Sequence, residues 1–160
     1  LGSGAPPCSG QPALSRMLTM IENNQVPDSS LPCLENLSQN SRLIMVGDFL
    51  SPLKEIEDVI VHFASLGIRG NLVQVLDPAE ECLPYDGRIL FEDIEGEGEV
   101  MISHVETLRD AYQAELAHHR FGIQEICRQF GWGFISHRTD QASENALSAL
   151  CLQLSVKSKA

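Results

Sequence analysis

Three carboxylates are candidates for a catalytic or metal-binding role, because each follows shortly after a run of apolar residues. They are Asp48, Asp77 and Asp140. Short apolar runs that end ahead of a helix signal are typical of parallel-sheet strands, and ligands of open α/β sheets bind at the carboxyl ends of such strands. If the three strands are neighbours, their acids cluster on one rim, where oxygen ligands favour a hard cation such as Mg²⁺.

A structural role explains the same residues, because Asp is common after strands, where it favours turns and helix caps. For Asp77, which precedes Pro78, and for Asp140, which precedes a helix, the turn or cap interpretation is preferred. For Asp48 the two interpretations are balanced, since it follows Gly47 directly off the most apolar strand.

The strand that positions Asp48 covers residues 42–46, and its apolar run predicts a central strand buried on both faces. Ser51 is predicted to cap the next helix, with Pro52 in its first turn and residue 66 at its end. A second buried strand over residues 71–76 completes a βαβ unit with a right-handed crossover.

Residues 88–93 and 99–103 flank an acidic, glycine-rich stretch and predict a β-hairpin. We interpret its charges as a block against edge-to-edge pairing. A calcium loop is the alternative, but the alternating register of carboxylates that such a loop needs is absent.

The order of predicted elements is α-β-α-β-(ββ)-α-β-α, which indicates an α/β fold: a parallel sheet with helices on both faces plus an edge β-hairpin. Helices are predicted from residue 13, over 105–130 and over 142–154, where Ser143 is a plausible cap, and a third strand over 132–137. Residues 13–154 form one predicted domain, with residues 1–12 as a loop or linker and 155–160 as a tail.

Composition narrows the class of partner. The 160 residues carry a net charge of −11, which argues against nucleic acid and against anionic membrane surfaces. This charge is compatible with a cation or a basic partner. No apolar run has the length of a membrane span and no signal peptide is recognisable at the start. The odd number and wide spacing of the cysteines indicate reduced thiols, so a cytoplasmic protein is expected. The chain opens without Met, which leaves open whether it is a fragment.

Cysteine and histidine offer little chemistry in this pattern. The five cysteines are odd in number and widely spaced, so reduced thiols that pack as small hydrophobic groups are expected rather than a metal or catalytic site. His118 and His119 are adjacent on a predicted helix, where neighbours point about 100° apart and cannot chelate one metal together. A solvent-facing or core-edge role is expected for both, and Gly122 indicates a kink or close packing.

Five short segments, taken in order, resemble the bacterial family known as domain of unknown function 58, and the resemblance runs over residues 42–152. The segments are LIMVGDFL at residues 43–50, DPAEECLPY at 77–85, FEDIEG at 91–96, LRDAY at 108–112 and TD at 139–140.

The resemblance implies a fold similar to the von Willebrand factor type A domain, lacking its first strands, with a metal-ion-dependent adhesion site or its relic. The first metal motif of that fold, Asp-x-Ser-x-Ser, is absent from this chain. Asp48 matches the position of the third-motif ligand, and Ser9 is a weak candidate for the second-motif hydroxyl. The chain alone is therefore expected to bind no metal, whereas a complete domain could bind Mg²⁺.

The resemblance also implies a protein partner, because genes of this family lie beside those of MoxR-type AAA ATPases. The expected function is a non-enzymatic protein–protein interaction module that works as an adaptor of such an ATPase. One alternative is a metal-dependent hydrolase at the carboxyl rim, but residues 47–53 supply neither a nucleophile nor a second carboxylate beside Asp48. The other alternative is a purely structural domain.

Overall fold

The computed structural model describes residues 9–23, 31–32, 37–38, 41–92 and 99–156. The described elements alternate between helices and strands over most of the chain. They are α1 (Gln11–Asn23), β1 (Arg42–Gly47), α2 (Leu53–Ser65), β2 (Arg69–Leu76), α3 (Pro78–Cys82), β3 (Ile89–Glu92), β4 (Glu99–Ile102), a 3₁₀ turn (Val105–Thr107), α4 (Arg109–Gln129), β5 (Gly133–Arg138) and α5 (Ser143–Val156).

Three parallel strands form the sheet in the order β1-β2-β5, so β2 is its central strand. Met45 of β1 is aligned with Leu72 of β2, which is aligned with Phe134 of β5. The prediction of an α/β fold with a parallel sheet is confirmed. The prediction that β1 is central and buried on both faces is wrong: β1 lies at an edge of the described sheet, and Ile44 and Val46 keep 43% and 68% of their surface exposed.

One face of the sheet carries the hydrophobic core, which fills the space under α2 and α4. Helix α2 supplies four of its buried side chains, which repeat at the spacing of one helix face, namely Ile56, Val59, Ile60 and Phe63. They pack with Met45 and Leu72 from the sheet and with Ile123 from α4. Gly122 lets the two helices approach, because a Cβ there would lie 2.5 Å from Leu53 Cδ1, so the predicted close packing is confirmed.

The opposite face is covered at β5 and β2 by α5. Asn71 Nδ2 of β2 donates to Gln153 Oε1 of α5, and Gln153 Nε2 donates to the Phe134 carbonyl of β5 at 3.4 Å. Arg42 adds a hydrogen bond of 2.5 Å from its guanidinium to the Leu154 carbonyl. Helices therefore lie on both faces of the sheet, as predicted.

Two glycines end helices by adopting a left-handed backbone, as their sequence positions predict. Gly67 has φ +73° and is followed by a hydrogen bond of 3.0 Å from Ile68 N to the Phe63 carbonyl. Gly131 has φ +67°, and Trp132 N donates to the Cys127 carbonyl at 2.8 Å. Both bonds satisfy carbonyls that the last helical turn leaves open.

Other predicted boundaries differ from the observed ones. Ser51 does not cap α2: Pro52 occupies the N-cap position without a side-chain cap, and its carbonyl accepts from Glu55 N and Ile56 N. Likewise Ser143 is the first residue of α5 rather than the residue before it. Ser and Pro each favour more than one position at a helix start, so a shift of one residue is invisible in the sequence.

The predicted β-hairpin is confirmed as an antiparallel pair, with Ile89 opposite Ile102. It forms a separate two-stranded sheet and is not hydrogen-bonded to the three-stranded sheet in the described part of the chain. Its predicted glycine-rich turn, residues 94–98, lies outside the described residues. The long predicted helix is divided into the 3₁₀ turn and α4, and α3 was not predicted. The handedness of the β1-α2-β2 crossover stays a prediction.

Candidate functional site

The turn after β1 is strained and centres on Phe49. Phe49 has φ +52°, a left-handed backbone that bulky side chains rarely adopt, yet its ring is only 4% exposed. Asp48 is exposed, and its Oδ1 accepts from Leu50 N at 3.3 Å. Such strain costs on the order of 1–3 kcal/mol and persists only where the surroundings enforce it. The candidate site therefore includes both this turn and the residues that hold it.

Two side chains from other elements hold the turn through its backbone carbonyls. Gln74, which is completely buried on β2, donates from Nε2 to the Asp48 carbonyl at 2.8 Å. His119 of α4 lies 2.8 Å from the Phe49 carbonyl through its Nε2, and because a carbonyl only accepts, this nitrogen donates. The core-edge role predicted from the His118-His119 pair is thus confirmed for His119, while His118 is solvent-exposed.

Arg120 connects this turn to α3 and to the end of β5. Its Nε donates to Gln74 Oε1 at 3.0 Å, and its terminal nitrogen pairs with Glu81 Oε1. The other Glu81 oxygen lies 3.7 Å from Arg138 Nε, and Arg138 in turn pairs with Asp140 at 2.6 Å. The buried Gln74 is thereby satisfied at both ends of its amide.

The two other rim acids have structural partners. Asp77 caps α3, since its Oδ1 accepts from Ala79 N at 2.8 Å while its own backbone N donates to Glu80 Oε2 at 2.8 Å. The capping role predicted for Asp77 is confirmed, and its second oxygen accepts from Thr139 Oγ1 at 2.9 Å. Asp140 is bound by Arg138, and this hydrogen bond lowers the pKa of the Asp140 carboxyl.

The rim acids do not assemble into a metal centre among the described residues. No three side chains of His, Cys, Asp or Glu converge there in a way that could hold an ion. Ser9, the candidate for a second hydroxyl ligand, is exposed directly before α1. The described residues thus do not fit a six-ligand Mg²⁺ site by themselves, and the role of Asp48 and Ser9 as ligands in a complete domain stays a prediction.

We expect Mg²⁺ to leave the melting temperature of this chain unchanged. A metal that binds only the folded chain would add about 2.7 kcal/mol of stability at a concentration one hundred times its dissociation constant. The measurement is a thermal melt with and without Mg²⁺, repeated for Asp48→Ala and with Ca²⁺ as a control for ionic strength. A rise that is specific to Mg²⁺ and lost in Asp48→Ala would contradict this expectation.

A cavity of about 270 Å³ opens between the strained turn and α4. Its walls are Leu50, Tyr112, Glu115, Leu116 and His119. The four α4 residues follow the spacing i, i+3, i+4 and i+7, so they share one face of the helix. Tyr112, Leu116 and His119 repeat in the sequence with a period near 3.6, which predicts one face of a packed helix. Nothing local indicates that the turn after β1 leaves space beside that face.

The polar groups of this cavity lie close to carboxylates. Burial raises the pKa of the Tyr112 hydroxyl, and the charges of Glu80 and Glu81 on α3 raise it further. The His119 ring also lines the cavity, with its Nε2 held by the Phe49 carbonyl. The cavity therefore combines aliphatic walls with groups that accept hydrogen bonds.

Three of the five cysteines are described, and none of the three forms a disulfide. Cys127 is buried in the core, as expected of a thiol that packs as a small hydrophobic group, whereas Cys82 and Cys151 are exposed. Cys8 and Cys33 lie outside the described residues.

Comparison with known proteins gives a family but no characterised relative. No curated protein and no solved structure matches the chain. Within the described residues, no helix has both the length and the apolar character needed to cross a membrane. A sequence model described as Protein of unknown function DUF58 matches residues 3–122, so it begins before the resemblance at residue 42 and ends before the TD segment at 139–140. The chain therefore belongs to the DUF58 family, whose members are grouped by sequence and not by a known activity.

Proposed function

We propose that this chain is a non-enzymatic protein–protein interaction module. The observation that carries the proposal is the free edge of β1, which pairs only with β2 in the described part of the chain. The resemblance to the von Willebrand factor type A fold belongs to the same proposal, as does a MoxR-type AAA ATPase in the cytoplasm as the partner, for which the chain acts as an adaptor.

The composition of β1 supports docking at this edge. Its residues are as apolar as those of a buried strand, yet Ile44 and Val46 point to the same exposed face. Full burial of one such side chain contributes about 1.5–3 kcal/mol, and unpaired strand edges also offer backbone groups to a partner. Such a strand favours contact with another protein over contact with water.

The carboxyl rim supports binding rather than catalysis. Glu81 is paired with both Arg120 and Arg138, and Asp77 and Asp140 serve as helix cap and as ion-pair partner of Arg138. A hydrolase would need a nucleophile or a second free carboxylate within reach of Asp48. Here the charges of the rim hold the turn and α3 in place.

The proposal is tested by measuring the affinity of a MoxR-type AAA ATPase from the same organism for the purified protein. We expect Val46→Lys to weaken binding at least about tenfold, because a charge would replace an aliphatic contact on the exposed face of β1. Val61→Lys is the matched control, since Val61 is an exposed valine on α2.

Two results would contradict the proposal. The first is an ATPase that does not bind, or that binds Val46→Lys and Val61→Lys equally well. The second is hydrolysis of generic phosphoesters by the purified chain that disappears in Asp48→Ala, which would favour the metal-dependent hydrolase instead.

A further inference from the structure

We propose that the cavity between the turn after β1 and helix α4 binds an arginine side chain of a protein partner. This inference rests on the proposed interaction role, but it concerns a different surface from the β1 edge. It names the chemistry by which a partner would be recognised.

The size of the cavity suits a single side chain. At about 270 Å³ it lies just below the range of about 300–1,000 Å³ that is typical of small-molecule sites. Leu50 and Leu116 supply aliphatic walls, against which the methylene stem of a long basic side chain packs well. The mouth is open to solvent at Glu115, which is exposed.

Two polar groups of the cavity are available to a ligand. Among the described residues neither the Tyr112 hydroxyl nor the Glu115 carboxylate has a hydrogen-bond or ion-pair partner, whereas Glu81 nearby is shared between Arg120 and Arg138. A carboxylate accepts two parallel hydrogen bonds from a guanidinium, and this arrangement is among the strongest that proteins use.

The charge around the cavity favours a cation. Burial is the larger cause of the raised pKa of the Tyr112 hydroxyl, and the negative charges of Glu80 and Glu81 on α3 raise it further. The net charge of −11 would draw a basic segment toward the molecule. The positive charges nearby are engaged, because Arg120 is paired with Glu81 and Arg109 with Asp86.

Arginine fits these walls better than lysine does. Its planar guanidinium stacks on an aromatic ring such as that of Tyr112 and presents five donors in a fixed fork. The acceptors available are the Glu115 carboxylate and the Tyr112 oxygen. A compact ammonium would leave the aromatic wall unused.

The probe is a short peptide, acetyl-Gly-Leu-Arg-Leu-Gly-amide, titrated into ¹⁵N-labelled chain while amide chemical shifts are recorded. We expect saturable shifts at residues 49–50 and 112–119. The same peptide with citrulline in place of arginine has equal size and no charge, and we expect it to bind at least about tenfold more weakly.

Glu115→Gln is expected to weaken binding of the arginine peptide by about fivefold or more, with an unchanged melting temperature because the side chain is exposed. Glu144→Gln on α5 is the matched control, since it removes one exposed carboxylate far along the chain. Equal binding of the citrulline peptide, equal effects of the two variants, or shifts confined to other surfaces would each overturn the inference.

The two proposals fail separately. If the arginine peptide binds saturably but the ATPase does not bind, the choice of partner is contradicted and the arginine site is supported. ATPase binding that depends on Val46 but is unchanged by Glu115→Gln, with no peptide shifts in the cavity, would overturn the arginine site alone.

Discussion

Arg120→Met is expected to lower the free energy of unfolding by about 3 kcal/mol, since breaking a largely buried ion pair costs about 3–5 kcal/mol. The side chains of Arg120 and Glu81 keep 27% and 15% of their surface exposed, which places the expected loss at the lower end. The variant keeps the length and apolar stem of the side chain and removes its charge and its donors.

The loss arises from the two groups that Arg120 would leave behind. Glu81 would keep only the longer contact to Arg138, and Gln74 Oε1 would lose its donor in a completely buried position. An unsatisfied buried acceptor alone costs about 1–3 kcal/mol. Because Gln74 also holds the Asp48 carbonyl, we expect faster amide exchange at residues 49–50 in the same variant.

Urea unfolding monitored by circular dichroism measures this effect, and Arg128→Met is the matched control. Arg128 is on the same helix and pairs with Glu125 at 2.8 Å, but its side chain is 74% exposed. Exposed pairs of this kind contribute about 0–1 kcal/mol, so the control should remain close to the parent protein. Similar losses in both variants would show that the Gln74-Arg120-Glu81 contacts add no stability of their own.

Features set by neighbours along the chain were predictable. Asp77 directly before Pro78 indicates a turn or a cap, and the structure has it as the cap of α3. Gly67 and Gly131 stand where helices should end, and both adopt the left-handed backbone there. The alternation of apolar runs with helical stripes likewise led to the correct fold class. These signals are local because turn and cap geometries are decided by one to three residues.

Features set by distant residues were not predictable from one sequence. β1 has the composition of a central strand, but pairing with β2 on one side only is decided by the order of strands in space. Arg120 and Glu81 are 39 residues apart, and nothing in either segment indicates their pairing. The cavity has one wall of each kind. The residues of its α4 face repeat at helical spacing and can be recognised in the sequence, whereas Leu50 is placed there by the strained backbone at Phe49, which the sequence does not indicate.

Gly70→Ala is expected to destabilise the fold by about 3 kcal/mol, at the upper end of the usual cost of overpacking. A Cβ at Gly70 would overlap three carbons of the Trp132 ring, the farthest of them only 2.6 Å away. Trp132 is itself 4% exposed and belongs to the core, so its ring has little space into which it can move. Denaturant unfolding monitored by circular dichroism measures the loss.

Gly47→Ala is the matched control, because Gly47 also lies in a parallel strand of the same sheet. Its nearest neighbour to an added Cβ is Phe49 Cζ at 3.9 Å, an ordinary contact, and its backbone does not have a positive φ. Replacing Gly by Ala at such a compatible position reduces the entropy of the unfolded chain and stabilises a protein by about 0.4–1 kcal/mol. A loss in Gly47→Ala as large as that in Gly70→Ala would mean that strand glycines matter here for their backbone. The expected difference between the two variants instead assigns the cost at Gly70 to the Trp132 ring.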